Sequence, residues 1–170
     1  MQRRHFRLIL LVVFISMLVV FPDQVNALVD SPTPGIPDGD DWDERLKIVV
    51  VEATYLDYDE DEQEDDILTI FKILTPKDGW KNGKIEVDCA IEKPSGQTLA
   101  VSFDVKTLNG VEITIVWFNF VDEAGWYTLH ISAEAVKDDN VGPDYIKHKF
   151  DPPKGDPGPP EIAIMSIEEL

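Results

Sequence analysis

The stretch TLAVSFDVKTLNGVEITIVWF, residues 98–118, decides the fold of this chain. From Thr98 to Thr107 apolar and polar residues alternate, and this period of two predicts a β-strand with one buried and one solvated face. Asn109-Gly110 follows and is the strongest hairpin signal in the sequence, because a type I′ turn needs positive φ at both central positions. Val111–Phe120 then reads as the next strand, so the sequence predicts antiparallel β-structure here.

The same rhythm of apolar runs and turn signals extends over residues 45–151. We predict seven strands, at Leu46–Leu56, Ile67–Thr75, Lys84–Glu92, Thr98–Thr107, Val111–Phe120, Trp126–Val136 and Asp144–Phe150. No segment of this region has a convincing helical period. The fold class is therefore all-β, and seven strands in about 107 residues match a single immunoglobulin-like antiparallel sandwich.

The run from Asp122 to Tyr127 resembles the tyrosine corner that opens strand F of immunoglobulin and fibronectin type III domains. Asp122, Ala124 and Tyr127 match the family pattern with one residue of slack. The resemblance implies that the Tyr127 hydroxyl bonds to the backbone a few residues upstream. Antibody domains carry a disulfide cysteine two residues after this tyrosine, where this chain has Leu129.

This departure favours a fibronectin-like or prokaryotic surface sandwich over an antibody-type domain. The run Ala124–Leu129, together with Phe150-Asp151-Pro152-Pro153, is also similar to modules in archaeal and bacterial cell-surface proteins. Such a resemblance implies a fold and leaves the function open, because the sandwich hosts adhesion, spacing and ligand-binding modules alike.

The flanks of the sandwich differ from it in composition. Residues 1–27 combine a basic start, the apolar run Leu8–Phe21 and a small-residue end at Ala27, which predicts a signal peptide or, alternatively, a retained N-terminal anchor. Residues 28–44 are a Pro/Gly/Asp-rich tether, and residues 152–170 a Pro/Gly-rich linker and C-terminal tail. We expect a secreted or cell-surface protein that touches a membrane only through an uncleaved N-terminal segment.

Charge and cysteine content exclude several classes of partner and bond. The chain carries a net charge of −18, and loss of residues 1–27 removes three arginines and one aspartate, which leaves −20. Such a surface repels nucleic acid and anionic lipid, which bind through basic groups. Cys89 is the only cysteine, so no internal disulfide forms, and we expect its side chain to be buried as a small hydrophobe.

The second decisive stretch, DYDEDEQEDD at residues 57–66, has eight acidic side chains out of ten and lies between the first two predicted strands. If Asp57 is position 1, carboxylates fall at positions 1, 3, 5 and 9. That spacing resembles the calcium loops of EF-hands, dockerins, thrombospondin type 3 repeats and integrin-type propeller blades, in which alternate side chains turn inward onto one ion. The implied calcium ligands are Asp57, Asp59, Asp61, the backbone carbonyl of Gln63, Asp65 and the adjacent Asp66.

One feature departs from the calcium-loop pattern. Position 6 is normally glycine, and here it is Glu62. A left-handed conformation would cost that residue about 1–2 kcal/mol. The alternative interpretation is a solvated acidic turn that keeps the end of the sheet from pairing with its neighbours, or a general adaptation to a saline medium.

The remaining motifs predict no enzyme. No Gly-x-Ser-x-Gly, Cys/His pair, phosphate-binding glycine loop or His-Glu-x-x-His occurs, so a hydrolase is the least favoured hypothesis. The favoured function is a structural or adhesion module that binds calcium and contacts a surface protein or glycan. The alternative is a carbohydrate-binding module that uses exposed tryptophans, drawn from Trp80, Trp117 and Trp126, with the acidic loop merely solvated.

Overall fold

The computed structural model of the chain describes residues 45–76, 80, 83–107, 109–136, 141–150 and 160–170. These residues form two antiparallel sheets, of order β1-β2-β5-β8 and β4-β3-β6-β7. The strands are β1 Lys47–Leu56, β2 Asp66–Leu74, β3 Gly83–Glu92, β4 Thr98–Thr107, β5 Gly110–Phe118, β6 Tyr127–Val136, β7 Asp144–Phe150 and β8 Glu161–Glu169. The predicted signal peptide and tether lie outside the described residues.

The core lies between the two sheets and is built from alternate residues of each strand. In β6 the side chains of Tyr127, Leu129, Ile131 and Ala133 are fully buried. Cys89 on β3 is 1% exposed, which confirms the prediction of a buried hydrophobe. The all-β sandwich of two antiparallel sheets is thus confirmed, and it is compatible with an immunoglobulin-like fold.

The predicted number of seven strands is wrong, because the described residues form eight. Residues 161–169, which the sequence placed in a C-terminal tail, form β8 along the free edge of β5. Ile162 and Ile164 face the core, and a bulge at Met165 shifts the register by one residue so that Ile167 returns to the same face. The bulge explains how an uneven apolar spacing still makes a one-sided strand.

The hairpin predicted at Asn109-Gly110 is also wrong. β4 and β5 lie in different sheets, so the connection between them crosses the sandwich and joins no ladder. Gly110 is required all the same: its φ is +108°, and a Cβ there would lie 2.5 Å from the carbonyl oxygen of Ile73. The Thr107 hydroxyl closes the connection by accepting the Gly110 N–H at 2.9 Å.

Strand register gathers three loops at one end of the sandwich. Leu56 pairs with Asp66, Phe118 follows Trp117 opposite Ile67, and Glu92 pairs with Thr128. The loops at residues 57–65, 93–97 and 119–126 therefore share this end. The described residues contain no helix that could span a membrane.

Candidate metal centre

The acidic loop, residues 57–65, closes the hairpin between β1 and β2. Its own carboxylates fold it by accepting backbone N–H groups. Asp57 accepts the N–H of Asp61 through Oδ1 and that of Glu62 through Oδ2, both at 3.0 Å. Asp61 Oδ1 accepts the N–H of Gln63 at 2.9 Å. Short acidic side chains that bond to the backbone ahead of them wind the loop tightly.

This winding forces two glutamates into the left-handed region. Glu62 has φ +72° and Glu60 has φ +61°. The strained position 6 anticipated at Glu62 is therefore present, and Glu60 adds a second strained residue. Each costs about 1–2 kcal/mol relative to a right-handed backbone, so the loop is held in a conformation that its residue types disfavour.

The winding brings three carboxylates together at the tip. Asp57, Asp59 and Asp61 each offer one oxygen, and these oxygens all lie within 4.8 Å of one another. Calcium takes oxygen ligands at 2.3–2.6 Å, so two ligands on opposite sides of one ion are separated by about 4.8 Å. Desolvation raises the pKa of Asp59, and the charges of Asp66, Asp61 and Asp57 raise it further.

Asp66 anchors the base of the loop. Its side chain is fully buried, and its Oδ2 accepts the N–H groups of Tyr58 at 2.8 Å and Asp59 at 3.2 Å. Its Oδ1 accepts the N–H of Asn119, at 2.8 Å, from the loop between β5 and β6. Three N–H donors satisfy this buried carboxylate, so its role in the structure is to tie two loops together.

Asp65 is equally buried and has no such donors. It is 0% exposed, and neither carboxylate oxygen accepts a hydrogen bond from any residue that the structure describes. Burial raises its pKa to about 6, and the neighbouring charges of Asp61, Asp66 and Asp59 contribute to the rise. A buried carboxylate without partners is costly unless it takes up a proton or a cation.

The backbone around Asp65 is well held. Its carbonyl oxygen accepts the N–H groups of Phe120 and Val121, both at 2.9 Å. Tyr58 packs edge-to-face on Phe118, with ring centroids 5.7 Å apart. The acidic loop is therefore held against β5 and the β5–β6 loop, and these contacts fix the backbone at Asp65.

The structure places the six predicted ligand residues in different ways. Asp57, Asp59 and Asp61 meet at the tip, and the buried Asp65 lies outside that group, although the charges of Asp61 and Asp59 act on it. The side-chain amide of Gln63 donates to Asp61 Oδ2 at 3.1 Å. Asp66 lies beneath the loop and is occupied by backbone donors.

The tyrosine corner packs beside this loop. The Tyr127 hydroxyl accepts the N–H of Glu123 and donates to the Glu123 carbonyl oxygen, both at 3.1 Å, as the resemblance implied. Lys93 is 4% exposed; its ammonium group pairs with Asp122 at 2.7 Å and lies 4.4 Å from the centre of the Phe120 ring. These contacts fix the β5–β6 loop against which the acidic loop rests.

A polar cluster on the outer face of the sheet β4-β3-β6-β7 was not predicted from the sequence. His130 is 4% exposed; its Nδ1 lies 2.8 Å from the Tyr145 hydroxyl and its Nε2 lies 3.0 Å from Glu92 Oε2. Burial lowers the pKa of His130 and Glu92 opposes that effect. Only the register of β3, β6 and β7 brings the three residues together, and no local motif encodes it.

The tryptophans differ widely in exposure. Trp117 is fully buried and Trp126 is 61% exposed. Trp80 is partly buried, and its indole N–H donates to the Thr107 carbonyl oxygen at 2.9 Å. A single exposed indole is therefore available for stacking among these three.

Comparison with protein-family models, with curated proteins and with solved structures found no match for this chain. The functional interpretation therefore rests on the geometry of its own residues.

Proposed function

We propose that the chain is an exported structural or interaction module whose acidic loop binds one calcium ion. Asp57, Asp59 and Asp61 hold the ion at the tip, Asp65 holds it from below, and the Gln63 carbonyl supplies a further oxygen. The N-terminal segment supports export, and the sandwich resembles fibronectin-like modules of prokaryotic surface proteins. The role of the ion is structural.

The observation that carries this proposal is the buried Asp65 carboxylate, which has no donor among the residues that the structure describes. A solvated acidic turn accounts for exposed aspartates at the tip, but it does not account for a carboxylate placed out of water with both oxygens unpaired. A divalent cation satisfies both oxygens and neutralises the repulsion among the four carboxylates. It also offsets the strain of the two left-handed glutamates.

Oxygen-only ligands favour a hard cation, and loop flexibility favours calcium over magnesium. Magnesium demands near-ideal octahedral geometry and retains water, whereas calcium accepts six to eight oxygens in irregular arrangements. A loop wound by its own Asx-type hydrogen bonds offers carboxylates at irregular angles. No histidine or thiol belongs to the cluster, so the ligand set gives zinc no preference.

The test is the melting temperature in millimolar calcium, measured at low and at high sodium chloride. Calcium at about ten times its dissociation constant adds about 1.4 kcal/mol to the free energy of unfolding, which raises the melting temperature by several degrees. The double variant Asp59→Asn/Asp61→Asn should lose this gain. The matched control Glu86→Gln/Glu134→Gln removes the same charge from the outer face of the other sheet and should keep it. A gain that sodium chloride reproduces would contradict a specific site.

A carbohydrate-binding function is the second candidate, supported by the exposed Trp126. Its indole stands beside the tyrosine corner, where it could stack on a sugar ring. Quenching of tryptophan fluorescence by cell-envelope glycans, lost in Trp126→Ala and retained in Trp80→Phe, would favour it.

A further inference from the structure

We propose that β8 is an exchangeable strand, and that it pairs with β5 of a second copy of this chain to join two sandwiches. The occupant of the β5 edge is therefore either the chain's own β8 or the β8 of a neighbour. This inference is independent of the calcium site.

The β5 edge needs a strand. Ile113, Ile115 and Trp117 on β5 are fully buried, and β8 covers them with Ile162, Ile164 and Ile167. An uncovered β5 would present a row of unpaired backbone groups beside a hydrophobic core, which templates pairing with another chain. The bulge at Met165 makes the fit specific, because a strand without it would turn Ile167 to solvent.

β8 is the more exposed strand of the β5–β8 ladder. Every residue of β8 is at least partly exposed, in contrast to the fully buried residues of β5. Glu168 lies directly opposite Glu112, whose charge Lys72 partly offsets through an ion pair at 3.2 Å. Release of β8 therefore breaks only the β5–β8 ladder, and the other seven strands keep their contacts with one another.

The topology separates β8 from the strand that precedes it. β1 lies against β7, since the Ile48 N–H donates to Asp144 Oδ2 at 2.6 Å and the Leu46 N–H donates to the Gly142 carbonyl at 3.0 Å. β7 and β8 consequently occupy opposite lateral edges of the sandwich, in different sheets. Three strand spacings of about 4.8 Å and one gap between sheets of about 10 Å, taken at right angles, give a straight-line distance of about 17 Å.

The segment between β7 and β8 is long enough to place β8 on β5 of its own chain or on β5 of a second copy. Residues 151–160 are ten in number, and five of them are proline. Ten residues reach at most about 35 Å, so the same segment can lead β8 across its own sandwich or onto a neighbour. Contacts in the exchanged form copy those of the closed form, so exchange adds only the cost of association and is favoured by concentration.

Two single-cysteine variants test the proposal. Thr114 on β5 and Ser166 on β8 are paired on the outer face of the sheet. Thr114→Cys and Ser166→Cys are purified separately, mixed over a range of concentrations and oxidised. The native Cys89 stays in both, because burial holds the pKa of its thiol well above the usual range and keeps it unreactive. We expect a disulfide-linked heterodimer whose yield rises with concentration.

The matched control replaces Ser166→Cys by Ser132→Cys, which lies on the outer face of the other sheet. The double variant Thr114→Cys/Ser166→Cys reports the closed form through a disulfide within one chain. A mixture that gives no more heterodimer than the Ser132 control at any concentration would overturn the proposal. Light scattering on the unmodified chain adds a second readout, for which a dimer fraction that grows with concentration is expected and a monomer throughout contradicts exchange.

Discussion

The acidic loop and the β5–β6 loop lie side by side at one end of the sandwich, and they satisfy their buried polar groups in different ways. In the β5–β6 loop the Tyr127 hydroxyl bonds twice to the Glu123 backbone, and Lys93 pairs with Asp122. At the base of the acidic loop the Asp66 carboxylate receives three N–H donors, and the adjacent Asp65 carboxylate receives none from the residues that the structure describes. The polar groups of the β5–β6 loop named here are paired within the chain. Those of the acidic loop are paired too, except for the Asp65 carboxylate.

This difference separates three roles that the composition of residues 57–66 conceals. Eight acidic residues among ten read as one patch of charge, yet its aspartates divide into loop-winding, anchoring and unpaired carboxylates. The proposal of a calcium site rests on the unpaired one. Single substitutions of these carboxylates test the three roles separately.

The largest effect is expected at Asp66. Asp66→Ala removes the acceptor of the N–H groups of Tyr58, Asp59 and Asn119, and each bond to a charged group is worth about 1.5–3 kcal/mol. We expect a loss of at least about 3 kcal/mol, measured by urea denaturation. The loss should be similar with and without calcium, and a loss that calcium restores would assign Asp66 to the ion instead.

Asp65→Asn should increase the free energy of unfolding, whereas Asp66→Ala lowers it. Raising the pKa of Asp65 from 3.8 to about 6 corresponds to about 3 kcal/mol of penalty for the ionised form. An amide avoids the charge but still lacks partners, so we expect the variant without calcium to gain about 1–2 kcal/mol at pH 7. Thermal unfolding in a chelator measures this gain, and a loss of stability there would contradict an unpaired charge.

The pH dependence of that gain checks its origin. The folded-state pKa of Asp65 lies above its unfolded value, so the folded protein holds this proton more tightly and the penalty is absent below pH 3.8. It develops as the pH rises from 3.8 to about 6 and is constant above. The stability difference between Asp65→Asn and the unaltered chain should follow this window, and a difference that is independent of pH would rule out the charge as its cause.

Tyr127→Phe tests the β5–β6 loop. It removes two hydrogen bonds and no aromatic contact, so we expect a loss of about 1–2 kcal/mol. Denaturation curves with and without calcium should shift by the same amount. A loss confined to the calcium-bound protein would show that the two loops are not independent.

Glu62→Gly should give the smallest effect, a gain of about 0.5–1 kcal/mol, because glycine adopts positive φ without strain. Glu64→Gly is the control, since Glu64 is not among the residues with positive φ and only the entropic cost of glycine applies. The two variants carry the same charge change. Equal melting temperatures for them would contradict strain at Glu62.

The sequence predicted the seven strands of residues 45–151 closely because the alternation that marks them is local. It erred at Asn109-Gly110, since a turn signal describes the bend and not which sheet the next strand enters. β8 was missed because proline and glycine before it suggested a tail, and its apolar spacing is regular only with the bulge at Met165. Sheet membership depends on distant partners, which no local pattern contains.

In the candidate site, too, the sequence predicted what depends on local spacing and missed what depends on distant residues. The spacing of Asp57, Asp59 and Asp61 predicted their convergence, because side chains two apart turn together in a wound loop. The sequence could not distinguish Asp65 from Asp66, since the Asn119 N–H that ties Asp66 to the β5–β6 loop comes from more than fifty residues away along the chain. The cluster of His130, Tyr145 and Glu92 depends on register alone in the same way.

The central claim is that Asp65 and the tip carboxylates share one calcium ion. Calcium calorimetry on the unaltered chain and on Asp65→Asn, at high sodium chloride, tests it most directly. The account predicts one ion bound per chain in the first and none in the second, although the second is the more stable protein without calcium. Equal binding by the two proteins, or no binding heat in either, would contradict it.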